Sequence, residues 1–276
     1  VAKVYCKILS SKLKIRLPDS VPPMVSSSFE SLIPVIITLV LVCSINYCFT
    51  LTSFGNIHAL VNEIIQKPLL LIGTGLPALL ISQGLAQLLW FFGLHGDQIV
   101  GSVMDPILQT AGMENLSAYT AGDAVPYIIT DQFRALFVMI AFMSLVIAIL
   151  IVSKSNRLKG VGKVAVLPAT FCISEPVVFG APVVMNAMLF IPWVLSRPVF
   201  GLITWLFMKF GLCPYPTGVA IPWTTPPVLS GFLATNSIMG AVVQIICLAI
   251  GVLMFIPFVK MIDKTYHQEE IKTKEQ

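Results

Sequence analysis

Apolar residues gather in five blocks, at about 31–54, 68–94, 133–153, 183–212 and 237–259, separated by polar connections. Each block is long enough for the ~20 helical residues that cross the ~30 Å hydrocarbon layer of a bilayer. The pattern predicts an all-α membrane protein with polytopic transmembrane helices.

Three stretches break this pattern. Gly73, Gly75, Pro77 and Gly84 weaken a continuous helix over 68–94, and Pro168, Pro176, Pro182, Pro192 and Pro198 interrupt the apolar run 168–198. Each proline removes a backbone donor and strains the preceding turn. Irregular backbone at membrane depth survives only against protein or a wet cavity, so 168–198 reads as a re-entrant hairpin dipping into the membrane. The third stretch, Cys213 to Pro227, is too rich in proline for helix yet nearly free of charge. It reads either as a loop tucked against a transport path or as an extramembrane connector.

Composition agrees with the bilayer: 57% of the 276 residues are hydrophobic, 11% are charged, and the mean hydropathy is +0.90. The net charge of +4 speaks to topology rather than to nucleic acid. Its cations cluster at Lys3–Arg16, at Lys154–Lys163 and at Lys260–Lys274, while 68–133 holds no Lys or Arg. Short basic loops stay in the cytoplasm, which places all three clusters there. Three spans between the first two clusters would put the second on the wrong side, so one segment must be re-entrant, interfacial or double. The expected organisation is a cytoplasmic linker with an amphipathic segment over 1–30, a transmembrane domain over 31–259, and a cytoplasmic tail over 260–276.

The chain opens on Val1, with neither an initiator Met nor a signal peptide, and reads as a fragment of a longer protein. Its six cysteines show no paired metal spacing, and those in apolar segments act as small hydrophobes. Neither a metal nor a cofactor is expected.

The candidate chemistry lies in two places. Glu175 stands alone in the apolar run Val164–Ser196, and a carboxylate is costly there unless it pairs or lines a polar cavity. His95 follows the aromatic cluster Trp90-Phe91-Phe92 and is flanked by Gly93 and Gly96, which let backbone or ligand approach closely. An interfacial role with a wet tip is the alternative for His95. His58 and His267 lie in polar or terminal surroundings and carry no expected role. A site with a carboxylate, an imidazole and a tryptophan, Trp223 or Trp90, suits a carbohydrate. Hydroxyls need donors and acceptors, and the apolar sugar face needs an aromatic platform.

Four stretches carry a family resemblance: Pro18-Asp19-Ser20-Val21-Pro22-Pro23 with Val25–Phe29; Trp90–Gly96; Glu175–Pro182; and Ile221-Pro222-Trp223-Thr224-Thr225-Pro226. On these the chain resembles enzyme IIC, the membrane subunit of bacterial phosphoenolpyruvate-dependent phosphotransferase systems, in the lactose/cellobiose/diacetylchitobiose family. The resemblance implies a bacterial plasma-membrane sugar permease lacking the N-terminal helices that form most of the family's dimer contact. Glu175 would bond the sugar hydroxyl to be phosphorylated, with His95 beside it in catalysis. Trp223 and Trp90, with Ser174 and Thr224 next to the same motifs, would bind substrate. Ser174 departs from the family's usual Asn before the Glu-Pro pair, replacing an amide with a hydroxyl that has fewer bonding groups.

The implied mechanism is vectorial. A β-linked disaccharide enters from outside, the binding half moves, and a cytoplasmic enzyme IIB phosphocysteine, itself charged by enzyme IIA, phosphorylates the C6 hydroxyl. The phosphoryl donor is expected on a separate subunit. The competing class is an ion-coupled secondary transporter in which Glu175 and His95 relay protons. A structural or receptor membrane protein would have no need of a lone buried carboxylate.

Overall fold

The computed structural model describes residues 2–11, 15, 18, 23–52, 55, 73, 75–181 and 183–274, and they fall in two units, Val1–Ile65 and Gln66–Gln276. Secondary structure among them is helical throughout. Most of the Pro18–Pro23 stretch, part of the 68–94 block, His58 and Pro182 lie outside the described residues.

In the first unit, α1 spans Ala2–Leu9 and α2 spans Pro23–Thr50. The apolar side chains of α2 stand exposed, Ile36 at 57%, Leu39 at 62% and Val40 at 58%. A helix that is apolar all round suits a hydrocarbon environment, and Phe29–Thr50 is one of four candidate spans among the described residues.

The second unit contains α3 (Leu76–Phe91), α4 (Gly96–Ala121), a π-helical turn (Phe133–Val138) and a 3₁₀ turn (Met139–Phe142) running into α5 (Met143–Val152). It continues with α6 (Asn156–Thr170), α7 (Glu175–Gly180), α8 (Ala187–Lys209), α9 (Leu229–Thr235) and α10 (Ile238–Lys274). Phe133–Val152, α8 and Ile238–Thr273 supply the other three spans, and α3 is a shorter apolar helix. Among the described residues of the block 68–94, α3 accounts for 16 helical residues.

The core forms around α8. Trp193 packs with Leu145, Ile149, Val178 and Phe255, while Phe200 packs with Leu79, Phe133, Phe137 and Val243. Pro192 and Pro198 lie inside α8 without ending it. The break expected over 168–198 is therefore narrower, confined to the turns on either side of α7. Burial of Trp193 and Phe200 outweighs the bonds the two prolines remove. The Gln87 side chain also donates to the Trp193 carbonyl at 3.1 Å, and the Trp193 indole returns a bond to the Gln87 carbonyl at 3.2 Å.

The irregular stretch 213–227 is satisfied from outside itself. Asn115 Nδ2 donates to the Pro216 carbonyl at 2.8 Å, and Gln132 both accepts from Gly218 N–H at 3.1 Å and donates to the Val219 carbonyl. At its far end Gln244, wholly buried on α10, accepts from Val228 and Gly231 N–H and donates to the Leu136 carbonyl of the π-helical turn. Buried amides with both a donor and an acceptor suit non-helical backbone: Asn115 and Gln132 hold this loop, and Gln244 holds the turn that leads from it into α9.

At one end of the unit the start of α6 meets α10. Ser155 caps α6, and the Asp263 carboxylate accepts from Lys154 N–H at 2.7 Å and Ser155 N–H at 2.9 Å. Glu270 accepts from Asn156 and Arg157 N–H at 3.0 and 2.9 Å, and the Arg157 guanidinium lies 4.1 Å from the Tyr266 ring centre. Two carboxylates on a helix N-terminus complete its free N–H groups and oppose its positive dipole end. The basic clusters at 154–163 and 260–274 are thereby brought side by side.

Candidate functional site

His95 is the N-cap of α4, and its Nδ1 accepts from Gln98 N–H at 3.3 Å. The position follows from the two flanking glycines. Gly93 turns the chain at φ 80°, a conformation that costs glycine little, and a Cβ on Gly96 would collide with the Ala86 carbonyl of α3. With Nδ1 accepting, the neutral ring carries its proton on Nε2, the nitrogen that faces the second candidate. Glu175 opens α7 immediately after Ser174, and its Oε1 is 4.0 Å from His95 Nε2. Both side chains are about half exposed, 45% and 49%, so the gap between them is open to a ligand.

Behind this pair stands a buried ionic support. The Trp90 ring is 4.4 Å from that of His95 and only 3% exposed, and its Nε1–H donates to Asp97 Oδ2 at 2.9 Å. Asp97 also receives two bonds from the Arg197 guanidinium, one of them at 3.0 Å, and Arg197 is 2% exposed. Burial alone would raise the Asp97 pKa. The Arg197 charge and bonds, with the Trp90 N–H, overcome it and hold the carboxyl at about 2. The Trp90–Asp97–Arg197 chain thereby ties α3, α4 and α8 together beneath His95.

These groups line one cavity of about 630 Å³, within the range that accepts small molecules. Of the residues singled out by sequence, Glu175, His95, Trp90, Ser174 and Trp223 all lie on its wall, and Thr224 does not. Trp223 is 59% exposed and presents its ring, whereas the indole of Trp90 is committed to Asp97. The residues Ile221–Trp223 bring the proline-rich loop to the cavity.

Sequence reasoning passed over Asp97, Asp105, Asp131, Gln132, Arg134 and Arg197, all of which line the cavity as well. One signal was present: Arg197 is a cation inside the apolar block 183–212, and such a charge calls for a carboxylate partner. Arg134, at the mouth of the block 133–153, is paired in the same way with Asp105.

Comparison with known proteins gives a consistent picture. The family model described as "Phosphotransferase system, EIIC" matches residues 1–196. An oligo-β-mannoside-specific EIIC component from Bacillus subtilis (strain 168) is 44% identical over 95% of this chain and 60% of its own length. A lichenan permease IIC component from the same organism is 39% identical over 97% of this chain and 60% of its own length. Among solved structures, the transporter ChbC, the IIC component from the N,N'-diacetylchitobiose-specific phosphotransferase system, superposes with a TM-score of 0.80. It is 36% identical, with 97% of this chain and 63% of that chain covered. The chain therefore spans about 60% of the length of the curated relatives it matches.

Proposed function

The chain belongs to the phosphotransferase-system EIIC family, and on that premise we propose that it holds the sugar-binding and translocating part of a bacterial plasma-membrane permease. Its substrate is a β-linked disaccharide, phosphorylated at C6 as it crosses. The observation that carries the reading is the pair His95–Glu175, separated by 4.0 Å and half open on the wall of the cavity.

The family resemblance suggests the roles, and the His95–Glu175 geometry supports them. Glu175 accepts the hydroxyl that is to be phosphorylated, orients its oxygen toward the donor, and is placed to take its proton. His95 offers Nε2–H to the same region of the sugar. Trp223 supplies an apolar ring face for a pyranose, and Ser174 adds a hydroxyl beside Glu175. Trp90 acts through others, holding Asp97 and the His95 ring. Thr224 lies off the wall and acts on the sugar only if the loop shifts.

The phosphoryl donor is a soluble enzyme IIB phosphocysteine, served in turn by enzyme IIA, and it approaches from the cytoplasm. The contacts between the start of α6 and α10 support this orientation. Lys154 and Asp263 are bonded, so the chain from 156 to 259 begins and ends on one side of the membrane. The helix α8 and the first part of α10 supply two crossings, leaving no net crossing for 156–186, as a re-entrant hairpin requires. The whole protein is a homodimer embedded in lipid.

The test is uptake into membrane vesicles bearing the full-length protein. With the soluble phosphoryl-transfer proteins and phosphoenolpyruvate inside, cellobiose should accumulate as its phosphate, and without them accumulation should cease. Concentrative uptake of free sugar driven by a proton gradient alone would instead establish the Glu175–His95 proton relay and overturn the reading.

A further inference from the structure

The outer face of α6 changes character along its length. The inner side, Leu158, Gly162, Ala165 and Ala169, is buried, while the outer side begins with Lys159 and Lys163 and continues as Val164, Leu167 and Phe171. The two lysines are exposed and one helical turn apart, and neither makes an ion pair or a side-chain hydrogen bond with another described residue. Like charges at that spacing repel. Lys159 also sits in the first turn of α6, where the helix dipole disfavours a cation. The carboxylates nearest this end are committed elsewhere, since Asp263 and Glu270 accept from the N–H groups of residues 154–157. The segment 154–163 holds four cations and no acid of its own, so the counter-charge for its lysines must come from another molecule.

The rest of the face selects the anion. Val164 is 71% exposed, Leu167 68% and Phe171 46%, and they follow Lys163 directly. From Lys163 to Phe171 the helix rises by about 12 Å, which fits within one leaflet of the ~30 Å hydrocarbon layer. Charge and apolar surface are thus divided along the helix axis, in the order in which a phospholipid presents its phosphate and its acyl chains. An acidic soluble protein or free phosphate would match the lysines and leave the apolar half of the face unmatched.

We infer that the outer face of α6 is a seat for an anionic phospholipid, its phosphate held between Lys159 and Lys163 and its acyl chains lying along Val164, Leu167 and Phe171. The long apolar stems of the two lysines let their ammonium groups reach the headgroup level while the helix lies deeper. The lipid supplies the counter-charge that the segment lacks, and it holds the start of the hairpin that carries Glu175 at the membrane surface. The inference goes beyond the sugar chemistry of the cavity and does not depend on it.

The test places a fluorophore on Val166→Cys, an exposed position beside the seat, in the full-length protein freed of native cysteines. The protein is reconstituted in phosphatidylcholine vesicles that contain a small share of lipid with brominated, quenching chains. Brominated phosphatidylglycerol should compete for the seat about tenfold or more better than brominated phosphatidylcholine, at about fivefold per cation near the headgroup. Lys159→Gln with Lys163→Gln should bring the two lipids close to parity, and Lys159→Arg with Lys163→Arg should keep the preference. Lys260→Gln with Lys264→Gln, which lowers the positive charge of the same end away from the seat, should leave it unchanged. If the double glutamine protein unfolds in a thermal melt, Lys163→Gln alone takes its place, with an expected loss of about fivefold. Equal quenching by both lipids in the wild type, or a preference that survives removal of Lys159 and Lys163, overturns the seat. So does quenching by neither lipid, and protection of the fluorophore by an added soluble phosphoryl-transfer protein would then mark the face as a protein dock.

Discussion

Glu175 Oε1 faces His95 Nε2 at 4.0 Å across the mouth of the cavity, one from the first residue of α7 and the other from the N-cap of α4. At that distance the two groups do not share a proper hydrogen bond. An oxygen of a ligand placed between them would reach both. Glu175→Gln retains size and removes charge and basicity. It should insert and melt as the wild type does, yet lower sugar phosphorylation by about a hundredfold or more, the scale of lost general-base assistance. The check is the rate of sugar-phosphate formation in vesicles supplied with the soluble donor, and a wild-type rate would remove Glu175 from the chemistry.

The Asp97–Arg197 pair predicts a different signature. Removing one partner, as in Arg197→Met, leaves a buried charge uncompensated and should cost about 3–5 kcal/mol. The double change Arg197→Met with Asp97→Leu should recover much of that loss in a detergent melt while leaving Trp90 without its acceptor. Sugar binding should then stay weak although the fold is restored. Recovery of binding together with stability would show that the pair serves the fold and not the position of His95.

The same pair fixes a pH dependence. The Asp97 pKa is lowered from 3.8 to about 2, so the folded state favours its ionised form. Its contribution is fully present above the ordinary value and is lost only as pH falls toward the folded one. The stability difference between wild type and Asp97→Asn should therefore be constant from about pH 5 to 8 and shrink below about pH 4. A difference that changes across neutral pH would contradict a carboxylate held ionised by Arg197.

Trp223 is 59% exposed, so its replacement by Ala should leave the melt within about 0.5 kcal/mol of wild type. Loss of a ring that a sugar covers should weaken binding by about 1–3 kcal/mol. Titration with cellobiose measures this. Unchanged affinity would make the 213–227 loop a connector that merely passes the cavity.

The contacts that Asp263 and Glu270 make with residues 154–157 predict shared sidedness. Single cysteines at Asn156 and at Lys264, in a background without the native cysteines, should both resist an impermeant thiol reagent outside intact cells and both react after permeabilisation. Labelling of either from outside would overturn the proposed approach of the phosphoryl donor.

What the chain by itself determined were properties with a local cost. An apolar block long enough to cross the bilayer, or a lone Glu175 within one, is visible in sequence because hydrocarbon penalises each exposed polar group where it stands. Gly93 and Gly96 declared a close turn around His95 for the same reason, as steric demands on a backbone are local. What tertiary structure decided were pairings between distant segments. Arg197 is visible in sequence as a cation inside an apolar block, but only folding sets Asp97, a hundred residues earlier, against its guanidinium. Pro192 and Pro198 read as breaks because the local rule sees a missing donor, and only the packing of Trp193 and Phe200 into two halves of the core keeps α8 continuous. Likewise the prolines of 213–227 were compatible with either a connector or a cavity wall. Asn115 and Gln132, each from another part of the chain, bond its backbone, and hydrogen bonds made across such separations leave no periodicity or composition for a sequence to display.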